Sequence, residues 1–392
     1  MQTLIKQFHS IFQTNSTPRT FFAPGRINLI GEHTDYNGGH VFPAAISYGT
    51  YALAAKRNDQ QLRFYSMNFP EKGIITCDIA DLTFNDSHDW ANYPKGVFLH
   101  LMDAGFHLSH GADILYYGNI PNGAGLSSSA SIELVTGVLV EGIYEKTIDR
   151  IKLIQLGQKV ENEYIGVNSG IMDQFAIGMG KENQAMLLNC DTLEYKYAPL
   201  NLTDHVIMII NTNKERKLSG TKYNERRAQC EAALADLQQE LKIRSLGELT
   251  IEEFEASKHL ISDEVNQKRA KHVVYENART LEAFDALQQG DLEAFAELLN
   301  ESHISLRDDY EVTGVELDTI SETAWNLDGV LGARMVGAGF GGCAIALIEK
   351  EKAESIKQQI NKVYKEKVGY EATFYTATIG EGAREIQITE EV

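Results

Sequence analysis

The stretch Ala23-Pro-Gly-Arg-Ile-Asn-Leu-Ile-Gly-Glu-His-Thr-Asp-Tyr-Asn-Gly-Gly39 is the part of this chain that says most about its fold and chemistry. Its glycines let the backbone turn sharply and approach a ligand closely. Glu32, His33 and Asp35 supply hydrogen-bonding groups within four positions, which suits a polyhydroxyl ligand whose hydroxyls must be paired once water is displaced. Arg26 is a fixed positive charge suited to a transferring phosphate.

Two other interpretations of this stretch stay open from the residues alone. One is a surface turn with ordinary Asx chemistry. The other is a metal site through Glu32, His33 and Asp35, although no further ligand lies nearby in the sequence.

A second stretch, Pro121-Asn-Gly-Ala-Gly-Leu-Ser-Ser-Ser-Ala-Ser131, lies between a predicted strand at residues 112–120 and a predicted helix. Backbone N–H groups and the helix dipole form an anion site at such a junction. The stretch is not a Walker P-loop, because no lysine follows the glycines. A plain turn with a serine N-cap is the alternative, but four serines in five positions exceed what capping needs. We therefore predict a phosphate-binding loop.

A third stretch, Arg334-Met-Val-Gly-Ala-Gly-Phe-Gly-Gly342, formally satisfies G-x-G-x-x-G. The dinucleotide-binding motif requires a helix after the glycines. Here the apolar residues 343–348 predict a strand instead, which argues against an NAD-binding protein. We predict a glycine loop that leads into a buried strand, and close backbone packing without any ligand stays open.

Two acidic residues outside these stretches are candidates for chemistry. Glu161 lies on a predicted amphipathic helix over residues 149–165, where a solvated helix face is the simpler interpretation. Asp173 lies in Gly170-Ile-Met-Asp-Gln174, and a carboxylate among apolar neighbours needs a partner or a role. From the residues alone, a helix cap is the preferred interpretation of Asp173.

Composition limits the possible functions. The chain has 392 residues and is 43% hydrophobic, more than one core usually accommodates, so two domains are expected. The 55 acidic and 36 basic residues give a formal net charge of −19, which argues against nucleic acid or anionic membranes as partners.

Four scattered cysteines without a C-x-x-C pair predict neither a zinc site nor disulfides, and they suit a reducing compartment. No signal-peptide pattern or membrane-length apolar run is present, so the predicted location is the cytoplasm.

Short strand-like runs alternate with helical stretches, which predicts an α+β or α/β fold. We predict a helix from residue 1 to about 20, ending near Pro18, a hairpin and a buried strand between residues 185 and 211, and helices over 221–300. The last 60 or so residues return to strand, helix and strand. The change in character near residue 185 predicts two domains, 1–185 and 186–392.

Taken together, the three stretches resemble the GHMP kinase superfamily and, within it, the galactokinase family. GRINLIGEHTDYNGG resembles the galactokinase signature, NGAGLSSSAS the superfamily's phosphate motif and GAGFGG its third motif, all in the family's order. The resemblance covers nearly the whole chain, and GEHTDY is its specific part. It implies an α+β, two-domain GHMP kinase fold, with a ribosomal-protein-S5-like N-terminal domain, a ferredoxin-like C-terminal domain and the active site in the cleft between them.

The resemblance also implies roles for individual residues. Asp173 matches the catalytic carboxylate, and Arg26 matches the arginine that acts beside it. The residues that match sugar ligands are Glu32, His33, Thr34, Asp35 and Tyr223. The residues that match nucleotide contacts are Ser66, Gly123, Ala124, Gly125, Leu126, Ser127, Ser128 and Ser129. Ser129 and Glu161 match magnesium ligands.

The implied activity is transfer of the γ-phosphate of ATP, with Mg²⁺, to the C1 hydroxyl of galactose. The expected partners are galactose and ATP, with no nucleic acid or membrane, and the expected state is a monomer. Phosphorylation of N-acetylgalactosamine is one alternative, because the sequence does not reveal whether the sugar site has room for an acetamido group. A non-catalytic sugar- and ATP-sensing protein on the same fold is another, which the intact run Ser127–Ser131 and the presence of Asp173 disfavour.

Overall fold

Three β-sheets organise this chain in a computed structural model that describes residues 1–121, 125–167, 169–214 and 219–387. The described helices are α1 (Gln2–Phe12), α2 (Asn92–Asp103), α3 (Ser128–Ile143), α4 (Arg150–Lys159), α5 (Met172–Met179), α6 (Ser219–Leu237), α7 (Ile251–Ser257), α8 (Glu264–Gln289), α9 (Leu292–Asp308), α10 (Gly314–Trp325) and α11 (Ala353–Val368). The described strands are β1 (Arg19–Asn28), β2 (His40–Val41), β3 (Pro43–Lys56), β4 (Gln61–Ser66), β5 (Ile75–Asp78), β6 (Ala112–Gly118), β7 (Gln184–Asn189), β8 (Tyr195–Pro199), β9 (His205–Asn211), β10 (Val330–Val336), β11 (Cys343–Glu349), β12 (Thr373–Ala377) and β13 (Arg384–Ile386).

The largest sheet has the strand order β13-β1-β3-β6-β4-β5, and only the β4–β6 pair is parallel. Helix α3 packs on β1 and β3, where the Ser131 hydroxyl donates to the Ala23 carbonyl at 2.9 Å. The pairing of β1 with β3 shifts register between Pro24 and Arg26. An irregularity of this kind re-aims the next side chain. It therefore lets Arg26 leave a strand that is otherwise packed in the core.

The second sheet is four-stranded and antiparallel, with the strand order β10-β11-β9-β12. Residues 206–211 of β9 are all buried, as expected for a strand covered on both faces. The glycine stretch 337–342 joins β10 to β11, which is the strand that the sequence predicted after the third motif. A smaller sheet, β2-β7-β8, completes the fold. Among the described helices, none combines the length and apolarity that a bilayer crossing requires.

The loop after β1 is held in place by α8, almost 250 residues later in the chain. The buried Glu276 carboxylate accepts from the Gly31 N–H at 3.0 Å and from the Ser302 hydroxyl at 2.5 Å, and it pairs with Arg279. Gly31 adopts φ of +92°, and a Cβ there would lie 2.7 Å from the His40 carbonyl oxygen. The turn therefore requires glycine at position 31, and a buried carboxylate satisfies its N–H.

The predicted α+β class is confirmed, as are the strand near residues 112–120 (β6), the helix after the serine run (α3) and the hairpin and strand between 185 and 211 (β7–β9). The predicted N-terminal helix was too long: α1 ends at Phe12, because Gln13 is left-handed, and β1 already begins at Arg19. The helix predicted over 149–165 is α4 followed by a π-helical segment, Val160–Ile165. The domain boundary between residues 185 and 186 stays a prediction.

Replacing Glu276 with Gln tests how far its hydrogen bond to the loop after β1 stabilises the fold. Burial pushes the pKa of Glu276 up, but Arg279 and the neighbouring cationic groups outweigh it and lower the pKa to about 2. Since the folded pKa lies below the unfolded value, the stabilisation is present at neutral pH and is lost as pH falls from about 4.5 towards 2. Glu276→Gln should lower the free energy of unfolding by about 3 kcal/mol at pH 7.

Urea unfolding of both proteins at pH 7 and at pH 3.5 measures this difference. The gap between wild type and variant should narrow at the lower pH. A gap that stays constant over this range would contradict an ionised, stabilising Glu276.

Candidate active site

Three adjoining cavities share residues where they meet. The first, of 530 Å³, is named here the carboxylate cavity, since its lining includes Glu32, Asp35 and Asp173. The second, of 350 Å³, is the serine cavity, lined by residues 125–129 among others. The third, of 240 Å³, is the aromatic cavity. Arg26 and Asp173 line the first two, and Ser128 and Ser129 line the last two, so the three form one continuous path.

Arg26 and Asp173 form a two-point ion pair where the carboxylate and serine cavities meet. Arg26 Nε donates to Asp173 Oδ1 at 2.7 Å, and Nη2 donates to Oδ2 at 2.9 Å. The third guanidinium nitrogen, Nη1, donates to the Gly125 carbonyl at 2.9 Å. A bidentate pair fixes both the position and the orientation of a carboxylate. The two residues predicted as catalytic are thus brought together, and the pair is tied to the predicted phosphate-binding loop.

Ser127 adds a third contact to the same carboxylate. It is the N-cap residue of α3, yet its side chain does not cap the helix; its hydroxyl donates to Asp173 Oδ2. Its φ of +63° is uncommon outside glycine, and such conformations cluster at functional sites. Asp173 itself lies in the first turn of α5, whose N-cap is Ile171. The helix-cap alternative for Asp173 is therefore wrong.

The carboxylate cavity contains the predicted sugar ligands Glu32, His33, Asp35 and Tyr223. Thr34 is different: it is fully buried, and its hydroxyl reaches the carbonyls of Gly31 at 2.8 Å and His40 at 2.6 Å. It shapes the loop and is absent from the cavity lining. The alternative of a solvated surface turn is wrong, because Glu32, His33 and Thr34 are all buried.

Burial sets the protonation of this cavity. It lowers the pKa of His33 to about 3, with His272 contributing, so the imidazole is neutral near pH 7. His33 Nδ1 shares a 2.8 Å hydrogen bond with the Tyr36 hydroxyl. Burial also raises the pKa of Asp35 to about 6, and the charges of Asp173 and Glu32 add to the rise. The cavity therefore offers neutral and anionic hydrogen-bonding groups side by side.

The serine cavity contains Gly125, Leu126, Ser127, Ser128 and Ser129 of the predicted nucleotide loop. Gly123 and Ala124 lie outside the described residues. Gly337 and Ala338 of the third motif line both this cavity and the carboxylate cavity. The third motif therefore faces the site, and close backbone packing without any ligand stays the alternative interpretation.

The aromatic cavity contains Ser66, the remaining predicted nucleotide contact, beside Phe69, Trp90, Tyr93 and Tyr116. No sequence pattern had assigned these aromatic residues to a site. The run Asp89-Trp-Ala-Asn-Tyr93 was the available signal, since two large aromatic residues lie close together there. Flat, mostly apolar walls next to the predicted phosphate-binding loop suit the base of a nucleotide.

Glu161, a predicted magnesium ligand, is buried in the π-helical segment, so the solvated-face interpretation is wrong. Its Oε2 accepts from the Ser169 hydroxyl. Among the described residues, no group of three or more His, Cys, Asp or Glu side chains could hold a metal alone, which also removes the Glu32–His33–Asp35 metal site. Mg²⁺ commonly takes one or two protein oxygens and completes its shell with phosphates and water. One carboxylate and one serine hydroxyl fit that pattern.

Family models match three parts of the chain. The galactokinase galactose-binding signature matches residues 6–56, the GHMP kinases N terminal domain residues 92–181, and the GHMP kinases C terminal domain residues 283–366. These ranges contain the loop after β1, the serine run with Asp173, and the third motif.

Similar proteins cover nearly the full chain. The galactokinase of Exiguobacterium sibiricum is 58% identical to this chain over 386 residues, which cover 98% of this chain and 98% of that protein. The galactokinase of Ligilactobacillus salivarius is 56% identical over 365 residues, which cover 93% of this chain and 94% of that protein. The crystal structure of Lactococcus lactis galactokinase complexed with galactose superimposes with a TM-score of 0.95 at 51% identity, covering 98% of this chain and 99% of that one. Methanococcus jannaschii mevalonate kinase shares the fold, with a TM-score of 0.66 at 19% identity, over 93% and 99% of the two chains.

The raised pKa of Asp35 makes a stability prediction. Its folded pKa of about 6 exceeds the unfolded value of 3.8, so an ionised Asp35 costs stability above pH 6 and costs nothing below about pH 4. Asp35→Asn should raise the free energy of unfolding by about 1–2 kcal/mol at pH 7.5.

The gain should disappear at pH 4, and thermal or urea unfolding at the two pH values measures it. The exposed Asp204 supplies the control, since Asp204→Asn should leave stability nearly unchanged at both. Destabilisation by Asp35→Asn at pH 7.5 would contradict the account.

Proposed function

The chain belongs to the galactokinase family of GHMP kinases, and from this we propose that it transfers the γ-phosphate of ATP to the C1 hydroxyl of α-D-galactose, giving galactose 1-phosphate and ADP. It is an ATP-dependent sugar kinase. The observation that carries the proposal is the Arg26–Asp173 pair at the junction of the carboxylate and serine cavities. A hexose in the first cavity and phosphates in the second would meet at that pair.

Asp173 would receive the proton of the C1 hydroxyl as the hydroxyl oxygen attacks the γ-phosphorus. The two bonds from Arg26 and the one from Ser127 hold the carboxylate at a fixed position and orientation. Phosphoryl transfer depends mainly on positioning and on stabilising charge. Arg26 would also face negative charge that develops on the transferred group.

Sugar recognition would come from the polar groups that line the carboxylate cavity. Glu32 and Asp35 accept from hydroxyls, neutral His33 can donate or accept, and Tyr223 supplies a hydroxyl on an aromatic ring. A site whose polar groups would otherwise be unpaired discriminates strongly against sugars with one hydroxyl missing. Thr34 would act by shaping the loop.

Nucleotide binding would use the remaining two cavities. The start of α3, with Ser127, Ser128 and Ser129, offers N–H groups and hydroxyls to phosphates. The aromatic cavity and Ser66 would take the base and ribose. Gly123 and Ala124 stay predicted contacts of the same loop.

Magnesium, when bound, would neutralise charge on the phosphates, which matters because no lysine follows the glycines of this loop. Ser129 and Glu161 would hold it. Ser169 orients the Glu161 carboxylate through its hydroxyl. The cytoplasmic location and the monomeric state stay predictions.

Activity on galactose is tested by coupled measurement of ADP release across galactose, N-acetylgalactosamine and glucose. We expect the highest kcat/KM with galactose. Greater kcat/KM with N-acetylgalactosamine would favour the amino-sugar alternative. Galactose binding without ADP release would favour the sensing protein.

Asp173→Asn tests the chemistry. The amide keeps the shape of the side chain but accepts a proton poorly, so kcat should fall by at least about 100-fold. Galactose binding, measured by calorimetry, should change much less. Near-normal turnover in this variant would eliminate Asp173 from the reaction.

Glu161→Gln tests the metal assignment. Loss of the carboxylate should raise the Mg²⁺ concentration for half-maximal rate by about tenfold or more. Glu163→Gln is the matched control, because Glu163 is exposed two residues further on. An unchanged Mg²⁺ requirement in Glu161→Gln would exclude Glu161 as a ligand.

A further inference from the structure

Arg334, at the start of the third motif, is a fully buried cation. Its hydrogen bonds go to the end of β1 and to the loop after β1. Its Nη1 atom donates to the carbonyls of Leu29 at 2.8 Å and Asn28 at 3.1 Å. The same nitrogen lies 3.5 Å from Glu32 Oε1, and the exposed fraction of the two side chains is 0% and 3%. Burying an arginine costs desolvation free energy, which its contacts must offset.

We propose that Arg334 is a positioning residue for sugar recognition, which fixes the Glu32 carboxylate so that it presents one oxygen to a galactose hydroxyl. The inference rests on the proposed function, because it takes the carboxylate cavity as the sugar site. Arg334 does not line that cavity and would act only through Glu32.

The geometry of the Glu32 carboxylate carries this proposal. Oε1 accepts from the Gly337 N–H at 2.8 Å and faces Arg334. Both donors engage Oε1 and neither engages Oε2, which we assign to the sugar. Arg334 lies near the end of β10 and Gly337 directly follows that strand, so one segment of the chain orients the carboxylate and leaves Oε2 for the proposed sugar contact.

Electrostatics support the assignment. Burial raises the pKa of Glu32, and Arg334 is the strongest of the groups that oppose the rise, ahead of the Gly337 N–H, the Asn28 side chain and Arg26. Asp35 and Asp173 bring further negative charge to the same cavity. Without the positive charge of Arg334, an ionised Glu32 carboxylate near these two acidic side chains would cost considerable free energy.

One nitrogen makes all of these contacts, which sets the choice of variants. Arg334 Nε and Nη2 have no hydrogen-bond partner among the residues that the structure describes. A lysine ammonium supplies a single charged nitrogen and can restore part of the function of Nη1. Methionine fills similar space without charge or donor.

Steady-state kinetics of Arg334→Met and Arg334→Lys provide the test. Arg334→Met should raise the galactose KM by about tenfold or more, because a Glu32 carboxylate that is displaced or protonated loses its charge-assisted hydrogen bond to the sugar. The ATP KM and kcat should stay within about twofold, and Arg334→Lys should recover part of the galactose KM. Equal changes in both KM values, or no change in either, would overturn the proposal.

A double-mutant cycle with Glu32→Gln separates positioning from mere structural support. If Arg334 acts through Glu32, adding Arg334→Met to Glu32→Gln should change the galactose KM by less than about twofold. An undiminished effect of Arg334→Met in that background would overturn the proposal. Arg334→Gln replaces the methionine variant in the cycle if the latter does not fold.

The controls distinguish failure of this inference from failure of the proposed function. Arg269 is also buried and donates to the Asp309 carbonyl at 2.6 Å, so Arg269→Met should lower thermal stability while galactose KM stays unchanged. If Glu32→Gln itself leaves galactose KM unchanged, the sugar site of the proposed function is wrong. If Glu32→Gln raises it and Arg334→Met does not, only the role of Arg334 is wrong.

Discussion

The two parallel hydrogen bonds between Arg26 and Asp173 are the contact on which the rest of the site depends. They join β1 to α5 across 147 positions of sequence, at the point where the carboxylate and serine cavities meet. Arg26 also donates to the Gly125 carbonyl, so the same side chain ties the predicted phosphate-binding loop to the pair. A shift of either partner would disturb both cavities together.

This arrangement needs a loop after β1 that cannot move. Its backbone passes through left-handed conformations at Gly31 and His33, which a free loop would not keep. Helix α8 supplies Glu276, His272 and Asn277 to the loop's N–H and C=O groups. Buried polar networks of this kind are costly when any member is missing and specify one geometry when all are paired. The later half of the chain thus holds the ligand-facing part of the earlier half.

Sequence reasoning succeeded where local chemistry was decisive. The serine run lies at the start of a helix that the sequence predicted, and the third motif leads into a strand, which argues against a dinucleotide-binding motif. It failed where side chains meet across long separations. The bonds of Ser127 to Asp173 and of Glu276 to Gly31 leave no local periodicity, and the residues alone favoured a cap for Asp173 and a solvated face for Glu161. Only the resemblance to a family gave those two residues functional roles; the structure puts Asp173 in the lining of two cavities, and the metal-binding role of Glu161 stays a prediction.

A crystal structure of this chain with galactose and a non-hydrolysable ATP analogue would test the central claim most directly. The account predicts the C1 hydroxyl oxygen within hydrogen-bond distance of the Asp173 carboxylate, the other hydroxyls against Glu32 and Asp35, and the terminal phosphate beside Arg26. Galactose bound away from these side chains, or a nucleotide whose phosphates avoid the start of α3, would contradict it.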